Sequence, residues 1–356
     1  MKKILIAALA LCLLAPGTLA QEVRIAREIA PNLTIDAEVA DPETAALPVL
    51  ECTYIDYAAQ DPGRFTFLPA GFPDGKRENE RGIFWIPDGR EDLSVILGNE
   101  GWFTCIHPEG HWVYSAILYA PQAELPQDRD LRFMDRSQAE NAAAAFLRSL
   151  GIQESAVTSL SAISKETYDA LYEMSREDHE EELEYGKLGA TQWYDWPTQD
   201  VCYVVECTAA YQGVPFLWDD ALGSSMSGSI DPNFQEPFTN NKQYWPGITL
   251  YLFEQGVKYL DVRNAFSCRP DGEAAQILSR DEAVEAFAQT GPRPQTSQMH
   301  TVTQIGLYYV MCPADGRMMA RPYWLFTIER QQKAPLAPAK SYFFLNAHTG
   351  QWEGEW

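Results

Sequence analysis

Hydrophobic and polar positions alternate or recur with enough regularity along this chain to lay out most of its elements. Leu33-Thr34-Ile35-Asp36-Ala37-Glu38-Val39 alternates as a strand with one wet face. Leu47 to Tyr54 predicts a second strand, after a mixed polar segment at 21–35. Residues 60–92 are broken by Asp-Pro-Gly, Pro-Asp-Gly and Pro-Asp-Gly triplets and predict a loop-rich stretch, with short extended pieces at Phe65–Leu68 and Ile83–Ile86. Trp102 to Ile106 and Trp112 to Tyr119 read as two strands around the turn His107-Pro108-Glu109-Gly110. Ala139, Ala142, Ala143, Phe146, Leu147 and Leu150 then share one helical face, and Gly151 ends that helix.

Beyond it the pattern predicts a strand at Val157–Ile163, a charged helix at Lys165–Lys187 and a strand at Val201–Tyr211. A long polar loop at 219–246 leads to a hairpin of Ile248–Phe253 and Val257–Val262. After a boundary at 265–276, a short helix stops by Gly291-Pro292. Strands follow at Val302–Met311, Tyr323–Glu329 and Ser341–Asn346.

One local pattern occurs twice. Asp135-Arg136-Ser137-Gln138-Ala139 and Ser279-Arg280-Asp281-Glu282-Ala283 both set a capping side chain three positions before Gln or Glu. That spacing is the reciprocal capping box of a helix N-terminus. The fold class expected is therefore α+β: an N-terminal β-rich region followed by two modules of a helix packed on an antiparallel sheet. The boundaries are 1–20 for a leader, 21–132 for the N-terminal region, 133–265 for a first module with an inserted acidic helix and long loop, and 277–356 for a second.

The leader reading rests on Lys2-Lys3, the apolar run Ile4–Leu14 and the small-residue end Thr18-Leu19-Ala20. This is the layout of a secretory signal peptide, and the run falls short of the roughly 20 residues a spanning helix needs. Cys12 lies inside the run behind Leu11, which argues against a lipid anchor. The formal charge is −23, and it becomes more negative once Lys2 and Lys3 are removed. Such a surface repels nucleic acid and anionic lipid. The expected partner is an envelope or extracellular protein, with no nucleic acid and no membrane span.

Six of the seven cysteines lie beyond the leader: Cys52, Cys105, Cys202, Cys207, Cys268 and Cys312. An even number in an exported chain permits disulfides, and none of these forms a C-x-x-C motif. Cys202 and Cys207 point to opposite faces of one predicted strand, which disfavours a bond between them. Buried free thiols are the alternative.

The second repeat carries a comparison. A capped helix is followed by Ile305-Gly306-Leu307-Tyr308-Tyr309, by Pro322-Tyr323-Trp324-Leu325-Phe326 and by Phe344-Leu345-Asn346-Ala347-His348-Thr349-Gly350. This series resembles the C-terminal pattern of exported PepSY-like and YycI-type regulatory proteins of Gram-positive bacteria, and the whole layout resembles a group of clostridial secreted proteins. The resemblance implies an α+β fold and an extracytoplasmic, non-catalytic role. The same residues also read as fold determinants: Pro322 starting a strand, Trp324 filling a sheet–helix core, Asn346 and Gly350 forming a turn.

Several clusters have chemical readings. Cys105, His107 and His111 are soft ligands close in sequence, yet Pro108 and Gly110 explain their spacing as a turn, so no metal or other cofactor is assigned. Gly223-Ser224-Ser225-Met226-Ser227-Gly228 lacks the G-x-S-x-G form of a nucleophile elbow. Glu177 to Glu184 lacks the alternation and central glycine of a calcium loop and reads as a solvated helix face. No carboxylate pair stands out for glycoside hydrolysis, and no catalytic residue is assigned. Trp193, Trp196, Trp218 and Trp245 flank loops and are the candidates for an exposed aromatic ligand surface. The function expected is a non-catalytic exported protein that binds or regulates a partner. The alternatives are carbohydrate or peptide binding through the loops at 191–246, and a secreted hydrolase with an unrecognised site.

Overall fold

The structure is a computed structural model. It describes residues 22–353 except 41, 43, 70–71, 73–75, 88–91, 119, 121–122, 185–193, 219–245, 292, 294–297 and 331–338; the side chains of Glu22, 175–184, Ala339 and Glu353 are also outside the description.

Two large sheets organise the chain. The eight-stranded sheet holds β1 (Glu22–Ala30), β2 (Leu33–Ala40), β4 (Leu50–Tyr54), β14 (Phe266–Pro270), β16 (His300–Ala314), β17 (Arg317–Arg330), β18 (Ala339–Asn346) and β19 (Trp352–Glu353). The nine-stranded sheet holds β5 (Arg77–Asn79), β6 (Gly82–Trp85), β7 (Ser94–Gly98), β8 (Phe103–Ile106), β9 (Ser155–Ser164), β10 (Asp200–Tyr211), β11 (Val214–Pro215), β12 (Gly247–Phe253) and β13 (Gly256–Arg263). β3 (Ala46–Leu47) and β15 (Ala275–Gln276) form a small ladder of their own. The helices are α1 (Pro108–Leu118), α2 (Arg136–Ser149), α3 (Lys165–Glu184) and α4 (Arg280–Thr290). Among the described residues, no helix is long and apolar enough to cross a membrane. The fold is mixed α+β and rich in strand.

The N-terminal strands are divided between the sheets. β1 and β2 join the eight-stranded sheet through a parallel pairing of Leu33, Thr34 and Ile35 with His300, Thr301 and Val302, while β5 to β8 join the nine-stranded sheet. β1 itself occupies the segment expected to be mixed and polar. One continuous apolar core spans both sheets. It takes Leu33, Ile35, Ala37 and Val39 from β2, Tyr203 and Val205 from β10, and Trp324 and Phe326 from β17. α2 contributes Ala139, Ala143 and Leu147 to it, and α4 contributes Ala283, Val284 and Phe287. Both capping boxes are complete, with Asp135 accepting from Gln138 N–H and Ser279 from Glu282 N–H while each partner side chain accepts from the cap's backbone.

Two sequence expectations are corrected. Trp112 to Tyr119 is not a strand: α1 runs from Pro108 to Leu118, and His111 N–H already donates to His107 O at 2.9 Å. Proline suits the first helical turn, where its missing N–H would have been unpaired. Gly110 serves the close approach of this helix to β13, since a Cβ there would lie 2.3 Å from Lys258 O. The aromatic and branched side chains that read as a strand are instead covered by a second, smaller core (Val113, Ala116, Ile163, Tyr168, Leu171, Val204) on the other face of the nine-stranded sheet.

Pro322, in turn, lies inside β17 rather than at its start, opposite Tyr309 of β16. Its carbonyl accepts from Ala347 N–H at 3.0 Å where β18 ends. Pro322 has no N–H to return, and the Ala347 carbonyl takes Leu278 N–H instead, at 2.8 Å. Trp324 Nε1 donates to Leu278 O at 3.0 Å. The proline, the tryptophan and the turn after Asn346 thus hold the residue that precedes the Ser279 cap. Asn346 Oδ1 accepts from His348 and Thr349 N–H, and Gly350 closes the turn at φ +67°.

Candidate functional site

The side of the nine-stranded sheet that carries α1 and α3 holds the densest aromatic cluster outside the main core. Cys202 and Val204 of β10 face this side, whereas Tyr203, Val205 and Cys207 face the main core. That is the alternation a strand imposes, and it separates Cys202 from Cys207 as expected. α1 packs along α3 and over β13. The chain then returns at 194–199, where Lys165 N–H donates to Gln199 O at 2.9 Å.

Trp112 of α1 stacks on Tyr194, with centroids 4.0 Å apart and planes 16° from parallel. Both rings are half-buried. Trp196 lies within the layer they cover and is 7% exposed. It meets Tyr194 at 4.7 Å and Tyr168 at 5.6 Å edge-on, and lies tilted against Phe253 at 5.7 Å. Its indole N–H has no hydrogen-bond partner among the described residues. Tyr168 supports the layer from α3; its hydroxyl accepts from Tyr194 N–H at 3.4 Å, and burial pushes its pKa up to about 12. Lys165 donates to Asp195 and, at 3.4 Å, to Trp196 O, pinning the returning segment. Leu118 at the end of α1 and Met174 on α3 are 50% and 52% exposed. The Trp112–Tyr194 stack offers a half-exposed aromatic surface, and Leu118 and Met174 are exposed elsewhere on the same two helices. The arrangement suits stacking and apolar contact rather than proton transfer.

The sequence candidates are distributed differently. Trp196 is a core residue rather than part of an exposed surface, because α1, α3 and β12 close over it. Trp218 lies elsewhere, half-buried beside Tyr308 with centroids 6.1 Å apart. It follows the segment in which Phe216 N–H donates to Ala209 O and Leu217 N–H to Tyr309 O, bridging the two sheets. Trp193, Trp245 and the serine loop Gly223–Gly228 lie outside the described residues, as do the side chains of Glu177 to Glu184. Trp112 and Tyr194 were missed as site residues. The signal was present: Val113, Ala116, Ile117 and Ala120 recur at helical spacing, which places Trp112 at the edge of that apolar face.

Cys105, His107 and His111 make separate contacts. Cys105 is buried in the main core, where burial raises its thiol pKa to about 12. His107 Nε2 donates to Phe67 O at 3.0 Å, and burial lowers its pKa. His111 hydrogen-bonds Ser115 at 3.4 Å. His300 and His348 likewise bind backbone carbonyls, of Gln298 and Leu47.

The chain is similar in fold to the crystal structure of an uncharacterized protein from Eubacterium rectale ATCC 33656. The two superpose with a TM-score of 0.60 over 92% of each chain at 15% identity. No family model matches the chain, and no curated protein does.

Proposed function

We propose that this chain is an exported, non-catalytic protein that binds or regulates an envelope or extracellular partner, and that its α1–α3 face is the binding surface. The observation that carries this reading is the Trp112–Tyr194 stack, half-exposed on that face with Leu118 and Met174 exposed on the same two helices. Aromatic and methionine side chains are enriched where proteins bind one another. The leader pattern at 1–20 supports export. The four described histidines hold backbone carbonyls or a serine, which supports a structural rather than a catalytic use of these groups. The matched caps at Asp135 and Ser279 support a duplication with modules at 133–265 and 277–356 after an N-terminal region at 21–132. The likeness to PepSY-like and YycI-type regulatory proteins belongs to the same proposal.

Immobilised protein incubated with solubilised envelope proteins of the producing cell tests it. A partner retained by the native chain and released by a Leu118→Glu, Met174→Glu double variant supports the reading. Equal retention by both, or turnover of a hydrolase substrate by the purified chain, contradicts it.

A second reading is carbohydrate or peptide binding at the loops 191–246. It is favoured by Tyr194 and Trp218, half-buried aromatic residues within that range. Quenching of tryptophan fluorescence by an added glycan or peptide distinguishes it.

A further inference from the structure

Cys52 and Cys268 face each other across the β4–β14 ladder with their Sγ atoms 3.2 Å apart. Both are thiols in this structure. The cross-strand neighbours of the other cysteines are apolar: Val95 and Leu260 for Cys105, Ile163 for Cys202, Val157 and Ile248 for Cys207, Met319 for Cys312.

The flanking backbone bonds fix the pair's place in the ladder. Ile55 N–H donates to Ala265 O at 2.9 Å, and Asp271 N–H to Val49 O at 2.8 Å. Both join directly opposed residues in the register that pairs Cys52 with Cys268. Bonded and non-bonded pairs alternate along an antiparallel ladder. Cys52 lies an odd number of steps from both Ile55 and Val49, so Cys52–Cys268 occupies a non-hydrogen-bonded position. Pro270, opposite Leu50, falls on the same phase, where its lack of an N–H breaks no bond. Non-bonded pairs bring their Cα atoms to about 4.5 Å and their side chains closest together. That separation lies within the roughly 4.4–6.8 Å a disulfide spans.

We infer that Cys52 and Cys268 are a built disulfide site, closed by exchange with a small-molecule or protein disulfide. Cys268 is half-exposed and Cys52 only 5% exposed, so the oxidant meets Cys268 first. The Cys268 thiolate attacks one sulfur of the oxidant, releasing one thiolate and leaving a mixed disulfide. Cys52, losing its proton, attacks Cys268 Sγ and releases the second. The two cysteines lose two electrons and two protons, and the oxidant leaves as two thiols. The bond would clamp the place where the chain crosses between sheets, because β14 follows β13 directly and β4 also pairs with β17 at Met318. The site depends on this geometry and not on the proposed partner, and it closes wherever a disulfide oxidant is present.

Reduced native protein equilibrated with oxidised glutathione, then alkylated and digested, tests it. The expected result is a linked, unalkylated peptide pair carrying Cys52 and Cys268, lighter by two hydrogen atoms than the two reduced peptides together. Cys52→Ser and Cys268→Ser variants should each lose that link, and the native chain alone should gain thermal stability on oxidation. Full alkylation of both thiols under saturating oxidant, a stable glutathione adduct on Cys268, or a link between other cysteines would overturn it.

Discussion

Ala265 donates its N–H to the carbonyl of Gly101 at 2.8 Å, and a Cβ on Gly101 would lie 2.2 Å from the carbonyl oxygen of Ala265. Gly101 N–H donates to Ile55 O, and Ile55 N–H to Ala265 O, so three remote segments close a ring of backbone bonds at the sheet crossing. Gly101 also sits at φ +73°. Gly101→Ala should cost about 1–3 kcal/mol from the backbone conformation alone, and the contact with immovable backbone adds to it. Denaturant titration of the variant should show a loss well beyond that of an exposed loop substitution.

Trp196 is expected to act through packing. Trp196→Ala should cost roughly 3–5 kcal/mol, the usual range for a buried aromatic. Trp196→Phe keeps most ring contacts and removes an indole N–H that lacks a partner among the described residues, so its cost should be only on the order of 1 kcal/mol. Equal losses in thermal melts of the two variants would contradict this packing.

The first helix cap gives a smaller effect. Asp135 Oδ1 accepts from Gln138 N–H at 2.8 Å, and Gln138 Oε1 accepts from Asp135 N–H at 3.0 Å. Asp135→Ala should cost about 1 kcal/mol and Asp135→Ser much less. Circular-dichroism melts of the pair measure the difference.

His107 makes stability depend on pH near neutrality. Burial holds its folded pKa below the ordinary value, which in the unfolded chain is about 6.5. As pH falls through that value the unfolded chain binds the proton first, so stability declines below about pH 6.5. Above it the contribution is complete. His107→Gln should flatten the melting temperature between about pH 7.5 and 5.5, a window above ordinary carboxylate titration.

Local chemistry was the part of this fold most legible in the sequence. The caps at Asp135 and Ser279 and the hairpin around Gly256 depend on neighbouring residues and were read correctly. α1 was misread because its branched and aromatic side chains favour strands in isolation, and only the second core covers them as a helix. The partners of β2 and β4, and the position of Pro322 within β17, depend on remote pairings that no local pattern encodes. Trp196 illustrates the same limit at the candidate site. Its flanks look like loop, yet its cover comes from Trp112, Tyr168 and Phe253, brought in from distant segments.

A photo-reactive amino acid placed at Leu118 or at Met174 in the producing cell tests the proposed binding face most directly, with Glu38 on the exposed side of β2 as the control position. The account predicts one common adduct from both helix positions and none from Glu38. No adduct from the helices, or the same adduct from Glu38, would contradict it.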